Sequence, residues 1–139
     1  NYQGYFSDIT RTFATGKDID SKLLDAFESV RLANEAARAK SAHGVTAGDV
    51  DFAARSIIDK RGFGEYFIHR TGHGLGLEIH EEPNIKQNED FLLNEGNIFT
   101  IEPGIYLPGL GGIRIEDDVL IESSGARSLT TIPRDLIYF

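Results

Sequence analysis

The part of this sequence best suited to chemistry is a short stretch that combines histidine, glycine and acid. Three of the four histidines, His69, His73 and His80, fall within twelve residues, and three glycines are interleaved with them. Imidazole beside carboxylate is the chemistry of a divalent metal site or of an acid–base centre. Glycine lets the backbone bend tightly and approach a bound group closely. Residues 69–83 therefore predict a functional site.

Three acids elsewhere fit the same chemistry. Glu102 and Glu116 each lie inside an apolar, strand-like run, and Asp8 lies in a strand-like run near the start of the sequence. A carboxylate in such a run is costly to bury unless a partner compensates its charge. Each residue alone has an ordinary explanation as a turn or strand-edge residue, so a metal site is predicted only by the combination. The candidates are Asp8, His73, His80, Glu102 and Glu116.

This donor set also limits the metal. Oxygen and imidazole ligands without thiolates suit Mn²⁺, Fe²⁺, Co²⁺ or Zn²⁺. Carboxylates can bridge two such ions, and sites of this kind activate water for hydrolysis. The residues themselves therefore indicate a hydrolytic metal site.

Composition limits the functional classes. The 139 residues are 40% hydrophobic, which is ordinary for one globular domain, and no apolar run approaches the roughly 18–20 residues of a membrane span. The formal net charge of −8 argues against nucleic acid and anionic membrane surfaces as partners. Cysteine is absent, which excludes disulfides, thiolate ligands and a cysteine nucleophile. Because no signal peptide is visible either, we expect a cytoplasmic protein.

Two helices are predicted in the first half of the chain. The first spans about residues 20–42, where apolar residues repeat at helical spacing, an acid can cap the start and Gly44 follows the end. The second spans about residues 47–61, where Thr46 begins a capping box and Gly62 can end the helix.

Short β-strands are predicted in the rest of the chain. Gly, Pro, Asn and Asp separate the runs 5–13, 65–69, 75–80, 97–102 and 112–122. In the last run, period-two alternation puts four aliphatic residues on one face, Ile113, Ile115, Val119 and Ile121. The opposite face then carries Arg114, Glu116 and Asp118. We predict one α+β domain, residues 1–139, with helices covering one side of a curved antiparallel sheet.

Four motifs in order resemble the pita-bread metallopeptidases, which include prolidase, Xaa-Pro aminopeptidase, methionine aminopeptidase and creatinase. The resemblance covers essentially the whole chain, and the motifs are residues 4–12, 69–83, 100–106 and 112–118. The last motif and the spacing of His69 from His73 are similar to the proline-specific branch. The resemblance therefore implies metal-dependent hydrolysis of the bond N-terminal to proline in short peptides, by an Xaa-Pro aminopeptidase or dipeptidase.

Position by position, the resemblance implies a set of metal ligands. They would be Asp8, His73, Glu102 and Glu116, with Asp8 and Glu116 bridging two ions. Mn²⁺ is the expected metal, and Co²⁺, Zn²⁺ and Fe²⁺ are alternatives.

The resemblance also implies roles in catalysis and substrate binding. Glu102 would transfer the proton of the attacking water, and His80 would hydrogen-bond the tetrahedral intermediate. His69 would lie in the pocket that receives the proline, and Tyr106 would line that pocket. Arg114 would orient the carboxylates from behind.

One ligand of the family has no counterpart in this sequence. The family carries a further Asp upstream of its Tyr-x-Gly-Tyr motif, here residues 2–5, so that ligand would fall before Asn1. We therefore expect the C-terminal part of a pita-bread catalytic domain, truncated at its N-terminus. Two ions are expected in an intact parent and one here. Impaired activity and a homodimer through an exposed strand edge are the corresponding expectations.

Two alternatives stay open from the sequence. One is an enzyme similar to methionine aminopeptidase, which would cleave methionyl rather than Xaa-Pro peptides. The other is a non-catalytic binding module on the same fold, which would have a metal-to-protein ratio near zero.

Overall fold

The helices come before nearly all of the strands. In the computed structural model, which describes residues 1–139, the two helices are α1 (Ser21–Lys40) and α2 (Ala47–Lys60), and a 3₁₀ helix (Gly64–Tyr66) follows. The strands are β1 (Phe13–Ala14), β2 (Gly72–Gly74), β3 (Glu81–Ile85), β4 (Ile98–Ile101), β5 (Gly104–Leu107), β6 (Gly111–Arg114), β7 (Asp117–Glu122), β8 (Gly125–Ser128) and β9 (Ile137–Tyr138).

Both helices begin at side chains that accept hydrogen bonds from the first turn. Asp20 accepts from the amide of Lys22 at 2.8 Å, and Thr46 accepts from the amide of Asp49 at 3.1 Å. The two predicted helices are confirmed, with ends that differ from the prediction by at most two residues. Neither helix has the length and apolar character needed to cross a membrane.

A five-stranded antiparallel sheet lies at the centre, with strand order β3-β2-β4-β7-β8. Strands β5 and β6 form a separate hairpin, and β1 pairs in parallel with β9. The aliphatic face of residues 112–122 is buried in one core with apolar residues of both helices, such as Val30 and Ile58. The helices therefore cover one side of the sheet, as predicted, and the other side carries polar residues such as Thr100 and Asp118 together with Ile98 and Leu120.

Two predicted strands are wrong. Residues 65–69 form the 3₁₀ helix and a loop, because Arg55 on α2 donates hydrogen bonds to two carbonyl oxygens of this segment, at 3.1 and 3.0 Å. Residues 75–80 form bends, because the side chain of Glu81 accepts from the amide of Glu78 at 2.8 Å. Side chains that bind nearby backbone groups compete with strand pairing in this way.

The predicted strand 5–13 is only partly present. It forms a ladder only from Phe13 onwards, in β1, although isolated bridges occur before that point. The predicted period of two still holds, because the alternate residues Phe6, Asp8, Thr10 and Thr12 are half-buried. This segment thus lies against the sheet in an extended form and is held largely by side-chain hydrogen bonds.

Candidate metal centre and active site

The candidate site lies where the predicted strand 112–122 is interrupted. Strands β4 and β7, and then β5 and β6, pair in one continuous register, but residues 102–103 and 115–116 between them are not paired with each other. Glu102 and Glu116 both lie in this gap. The gap therefore divides the predicted strand into β6 and β7 and leaves two carboxylates beside each other.

Backbone groups in the gap bind other parts of the chain. The amide of Glu102 donates to the carbonyl oxygen of Thr71 at 2.7 Å, next to strand β2. The amide of Glu116 donates to the carbonyl oxygen of Thr10 at 3.1 Å, two residues after Asp8. The interruption thus joins the four segments that carry the predicted ligands.

These segments enclose a cavity of about 280 Å³ with no hydrophobic residue in its wall. The wall consists of Asp8, Thr10, His69, Arg70, His73, His80, Glu102, Arg114 and Glu116. Seven of the eight predicted site residues are among them. The eighth, Tyr106, lies behind the wall, with its ring 5.6 Å from that of His69 and 5.7 Å from the guanidinium carbon of Arg114.

Four of the wall residues meet in a geometry suited to a cation. Potential ligand atoms of Asp8, His73 and Glu116 all lie within 4.8 Å of one another. Oε1 of Glu102 lies 3.2 Å from Nε2 of His73, a separation suited to neighbouring ligands whose bonds to one ion are about 2.0–2.2 Å long. The structure thus brings together all four residues predicted as ligands. Metal binding by them stays a prediction.

Two buried carboxylates form no ion pair: Glu116 in the cavity wall and Asp118 beside the cavity. Burial, together with the nearby charges of Glu102 and Asp8, raises the pKa of Glu116 to about 7, although a hydrogen bond from Thr10 and the charge of Arg114 oppose the shift. Burial also raises the pKa of Asp118 to about 6, and its Oδ1 is buried without a hydrogen-bond partner. A divalent cation held by Asp8, His73 and Glu116 would supply the missing charge at Glu116, so this residue fits the metal that the motifs imply.

His73 is oriented by the backbone beside it. Its Nδ1 lies 3.0 Å from the carbonyl oxygen of Gly74, so Nδ1 carries the proton and Nε2 points toward Glu102. Glu102 also accepts from Thr100 and lies 3.2 Å from Nη1 of Arg114. Burial alone would raise the pKa of Glu102, but His73 and Arg114 outweigh burial and lower it. Glu102 is therefore ionised at neutral pH.

The other two histidines of the cavity differ in exposure. His80 is exposed, and its ring lies edge-on, 4.3 Å from the ring of His73. His69 is half-buried, with Nδ1 2.7 Å from the carbonyl oxygen of Arg70 and with Nε2 lacking a partner. Burial lowers the pKa of His69, which keeps its imidazole neutral at pH 7.

Sequence reasoning missed the buried polar residues that support the site from behind. On α2, Asp51 and Arg55 form an ion pair of 2.9 Å, and Asp51 accepts from the hydroxyl of Thr71 at 2.7 Å. On α1, Nδ2 of Asn34 lies 3.1 and 3.3 Å from two carbonyl oxygens that border the strand gap. An acid on the buried face of α2, four residues before an arginine, is the one signal that could have indicated this support.

The sequence profile of metallopeptidase family M24 matches residues 1–123, so the chain belongs to this family. The chain is 54% identical over 134 residues to putative dipeptidase YkvY of Bacillus subtilis (strain 168). It is 49% identical over 136 residues to the Xaa-Pro dipeptidase of Pyrococcus furiosus. These alignments cover 96% and 98% of this chain, and 37% and 39% of the two relatives.

Solved structures agree with this assignment. The chain superposes on a dipeptidase from Pyrococcus horikoshii OT3 with a TM-score of 0.95 and 52% sequence identity, over 98% of this chain and 38% of the other. The predicted pita-bread fold and the predicted family are therefore confirmed. The chain spans less than two fifths of the length of these relatives. Its assignment to the C-terminal part of a catalytic domain stays a prediction.

Proposed function

We propose that this chain carries a metal-dependent hydrolytic site that cleaves the peptide bond N-terminal to proline in short peptides, as an Xaa-Pro dipeptidase or aminopeptidase. The observation that carries the proposal is the convergence of Asp8, His73 and Glu116 within 4.8 Å, with Glu102 beside them. Identity of 49% to an Xaa-Pro dipeptidase supports the substrate class.

The residues of the cavity divide the chemistry among them. A divalent cation at this place would polarise the scissile carbonyl and lower the pKa of a water molecule. Glu102, which is ionised at neutral pH, accepts the proton of the attacking water and passes it to the leaving proline nitrogen. His80, which is exposed beside His73, donates a hydrogen bond to the developing oxyanion. Arg114 keeps Glu102 ionised and oriented from 3.2 Å away.

The proline ring would bind at the aromatic side of the cavity. His69 is flanked by Phe67, with ring centroids 5.1 Å apart, and by Tyr106 at 5.6 Å. A neutral imidazole between two aromatic rings offers a flat, weakly polar surface, which suits the ring of proline better than a charged side chain.

Metal identity, assembly and location are further parts of the proposal. Mn²⁺ is the preferred ion because the donors are oxygen and imidazole, and Co²⁺, Zn²⁺ and Fe²⁺ are alternatives. Asp8, His73, Glu102 and Glu116 would together hold one ion, and a second ion would need a further ligand. Absence of cysteine supports a cytoplasmic location. Exposed apolar side chains such as Tyr5 and Leu77 support a homodimer.

Calorimetric titration of Mn²⁺, with parallel assays on Xaa-Pro and methionyl dipeptides, tests the proposal. Hydrolysis of Xaa-Pro peptides that requires Mn²⁺ and is lost in Glu102→Gln, but not in Glu122→Gln, is the expected result. Preference for methionyl peptides would instead assign a function similar to methionine aminopeptidase. A metal-to-protein ratio near zero would assign a binding module and overturn the proposal.

His80 provides a sharper test of the mechanism. Replacing it with Ala should lower kcat by about 10²–10³-fold, the usual cost of one lost oxyanion donor, and leave the metal content unchanged. His43→Ala is the matched control, because His43 is exposed and lies outside the cavity wall. If the metal content falls in step with activity, His80 is a ligand and the proposed role is wrong.

A further inference from the structure

Arg11 is a buried cation that joins three parts of the chain behind the cavity. Only 7% of its side chain is exposed. Its Nη1 donates to the carbonyl oxygen of Glu116 at 2.7 Å, and its Nη2 donates to Oδ1 of Asp117 at 2.7 Å. Its remaining hydrogen bonds reach the carbonyl oxygens of Thr10, Ile132 and Pro133, each at 2.8 Å.

These contacts lie between two of the proposed ligands. Asp8 precedes Arg11 by three residues, in a segment that has no continuous strand partner. Apart from Arg11, that segment is held beside the strand gap by paired hydrogen bonds of Thr10 with Glu116 and of Thr12 with Arg114, and by the amide of Asp8, which donates to Asp118 at 3.1 Å. Arg11 also binds the backbone of Glu116, and among these contacts it is the one that carries a full charge, which Asp117 neutralises.

We propose that Arg11 is a positioning residue that fixes the separation of Asp8 from Glu116, and so sets the cation affinity of the cavity without touching the cation. This inference rests on the proposed function, since it assumes that Asp8 and Glu116 share an ion. Arginine suits the task because its planar fork presents five donors in fixed directions. Lysine keeps the charge but cannot bind Glu116, Asp117 and the carbonyl oxygens of 132–133 together.

Arg134 offers a matched control within the same network. Its Nε donates to Oδ2 of Asp117 at 2.7 Å, and its Nη2 donates to Ser128 at 2.9 Å. Arg134 therefore shares the anionic partner of Arg11, and no hydrogen bond of its own reaches Asp8 or Glu116. Both Arg→Lys changes disturb an ion pair with the buried Asp117. Only the change at Arg11 is expected to disturb the separation of Asp8 from Glu116.

The test compares Arg11→Lys and Arg134→Lys for Mn²⁺ affinity by calorimetry, for the visible absorption of bound Co²⁺ and for urea unfolding. Arg11→Lys should weaken Mn²⁺ binding by about 10- to 100-fold, the usual effect of losing a partner that orients ligands, and should alter the Co²⁺ spectrum. Arg134→Lys should lose comparable stability with affinity and spectrum near those of the parent. Equal affinities in the two variants would overturn the inference.

Two further outcomes separate positioning from simple loss of folding. If Arg11→Lys is partly unfolded, the titration is repeated in sucrose, which favours folded states by exclusion from the protein surface. Affinity that stays weak in sucrose supports positioning, and affinity that returns to the parent value overturns it. If the parent protein itself binds no Mn²⁺, the proposed function is wrong. If the parent binds Mn²⁺ and Arg11→Lys binds it equally well, only the inference about Arg11 is wrong.

Discussion

Two consecutive acids on strand β7 are buried on opposite faces of the sheet and have opposite surroundings. Asp117 accepts hydrogen bonds at 2.7–2.9 Å from three side chains, those of Arg11, Asn34 and Arg134. Asp118 accepts one backbone amide, that of Asp8 at 3.1 Å, and its other oxygen has no partner. One carboxylate is fully compensated by the protein, and the other is not.

The difference is the one expected between acids with a structural role and acids that a bound cation would compensate. Burial of a charge is tolerated where cations and donors surround it, as they surround Asp117. At Glu116 and Asp118, burial and neighbouring carboxylates raise the pKa, and no protein cation pairs with either group. The proposed metal would compensate the charge of Glu116. The comparison therefore predicts that changes on the two faces have opposite effects on stability and on cation binding.

The largest expected effect is on the compensated face. Asp117→Asn removes the only negative charge among the guanidinium groups of Arg11 and Arg134, and leaves these cations partly buried and unpaired. The free energy of unfolding, measured in urea, should fall by about 3–5 kcal/mol, as expected when one partner of a buried ion pair is lost. Asp118→Asn is the matched control and should not destabilise the metal-free protein, because it removes an uncompensated charge. Equal losses in the two variants would contradict the comparison.

The next effect concerns cation binding on the uncompensated face. Glu116→Gln should weaken Mn²⁺ binding by more than about 100-fold, beyond the effect of residues that only orient ligands. Glu122→Gln is the control, because Glu122 lies on the same strand with its side chain 39% exposed and paired with Arg127. Calorimetry on both variants decides the matter. Equal affinity would show that Glu116 is not a ligand.

Sequence alone predicted the face that Glu116 and Asp118 occupy, but it predicted neither the face of Asp117 nor what compensates its charge. Alternation along a strand depends only on the backbone, so Glu116 and Asp118 were correctly placed opposite Ile115 and Val119. The compensation of Asp117 depends on arginines far away in the sequence, and no local pattern reports them. Both acids therefore looked alike within the motif 112–118.

The interruption of the same strand could not be predicted from the local sequence either. It depends on bonds from Thr10 and Asn34, which are 106 and 67 residues away from their partners in the chain. The loop around residues 65–69 was missed for the same reason, since Arg55 on α2 holds its carbonyl oxygens. Helices α1 and α2, by contrast, were predicted to within two residues, because their stripes and caps are local.

The smallest expected effect is on the pH dependence of the metal-free protein. Glu116 has a pKa of about 7 in the folded state against an ordinary value of 4.5, so the folded state binds its proton more tightly than the unfolded chain does. Stability should therefore fall as pH rises from about 4.5 to about 7, and the loss should be complete above that range. Asp118 contributes in the same direction at lower pH, between its ordinary value of 3.8 and about 6.

Glu116→Gln removes the larger part of this dependence. With a chelator present, the variant should be more stable than the parent by about 1–3 kcal/mol at pH 8, and the two should be nearly equal at pH 4. Urea unfolding at both pH values measures this difference. If the free energy of unfolding depends on pH in the same way in both proteins, burial does not raise the pKa of Glu116. Saturating Mn²⁺ should reverse the order at pH 8, because an ion that binds only the folded parent stabilises it by mass action. The carboxylate that weakens the metal-free fold would then be the one that strengthens the metal-bound fold.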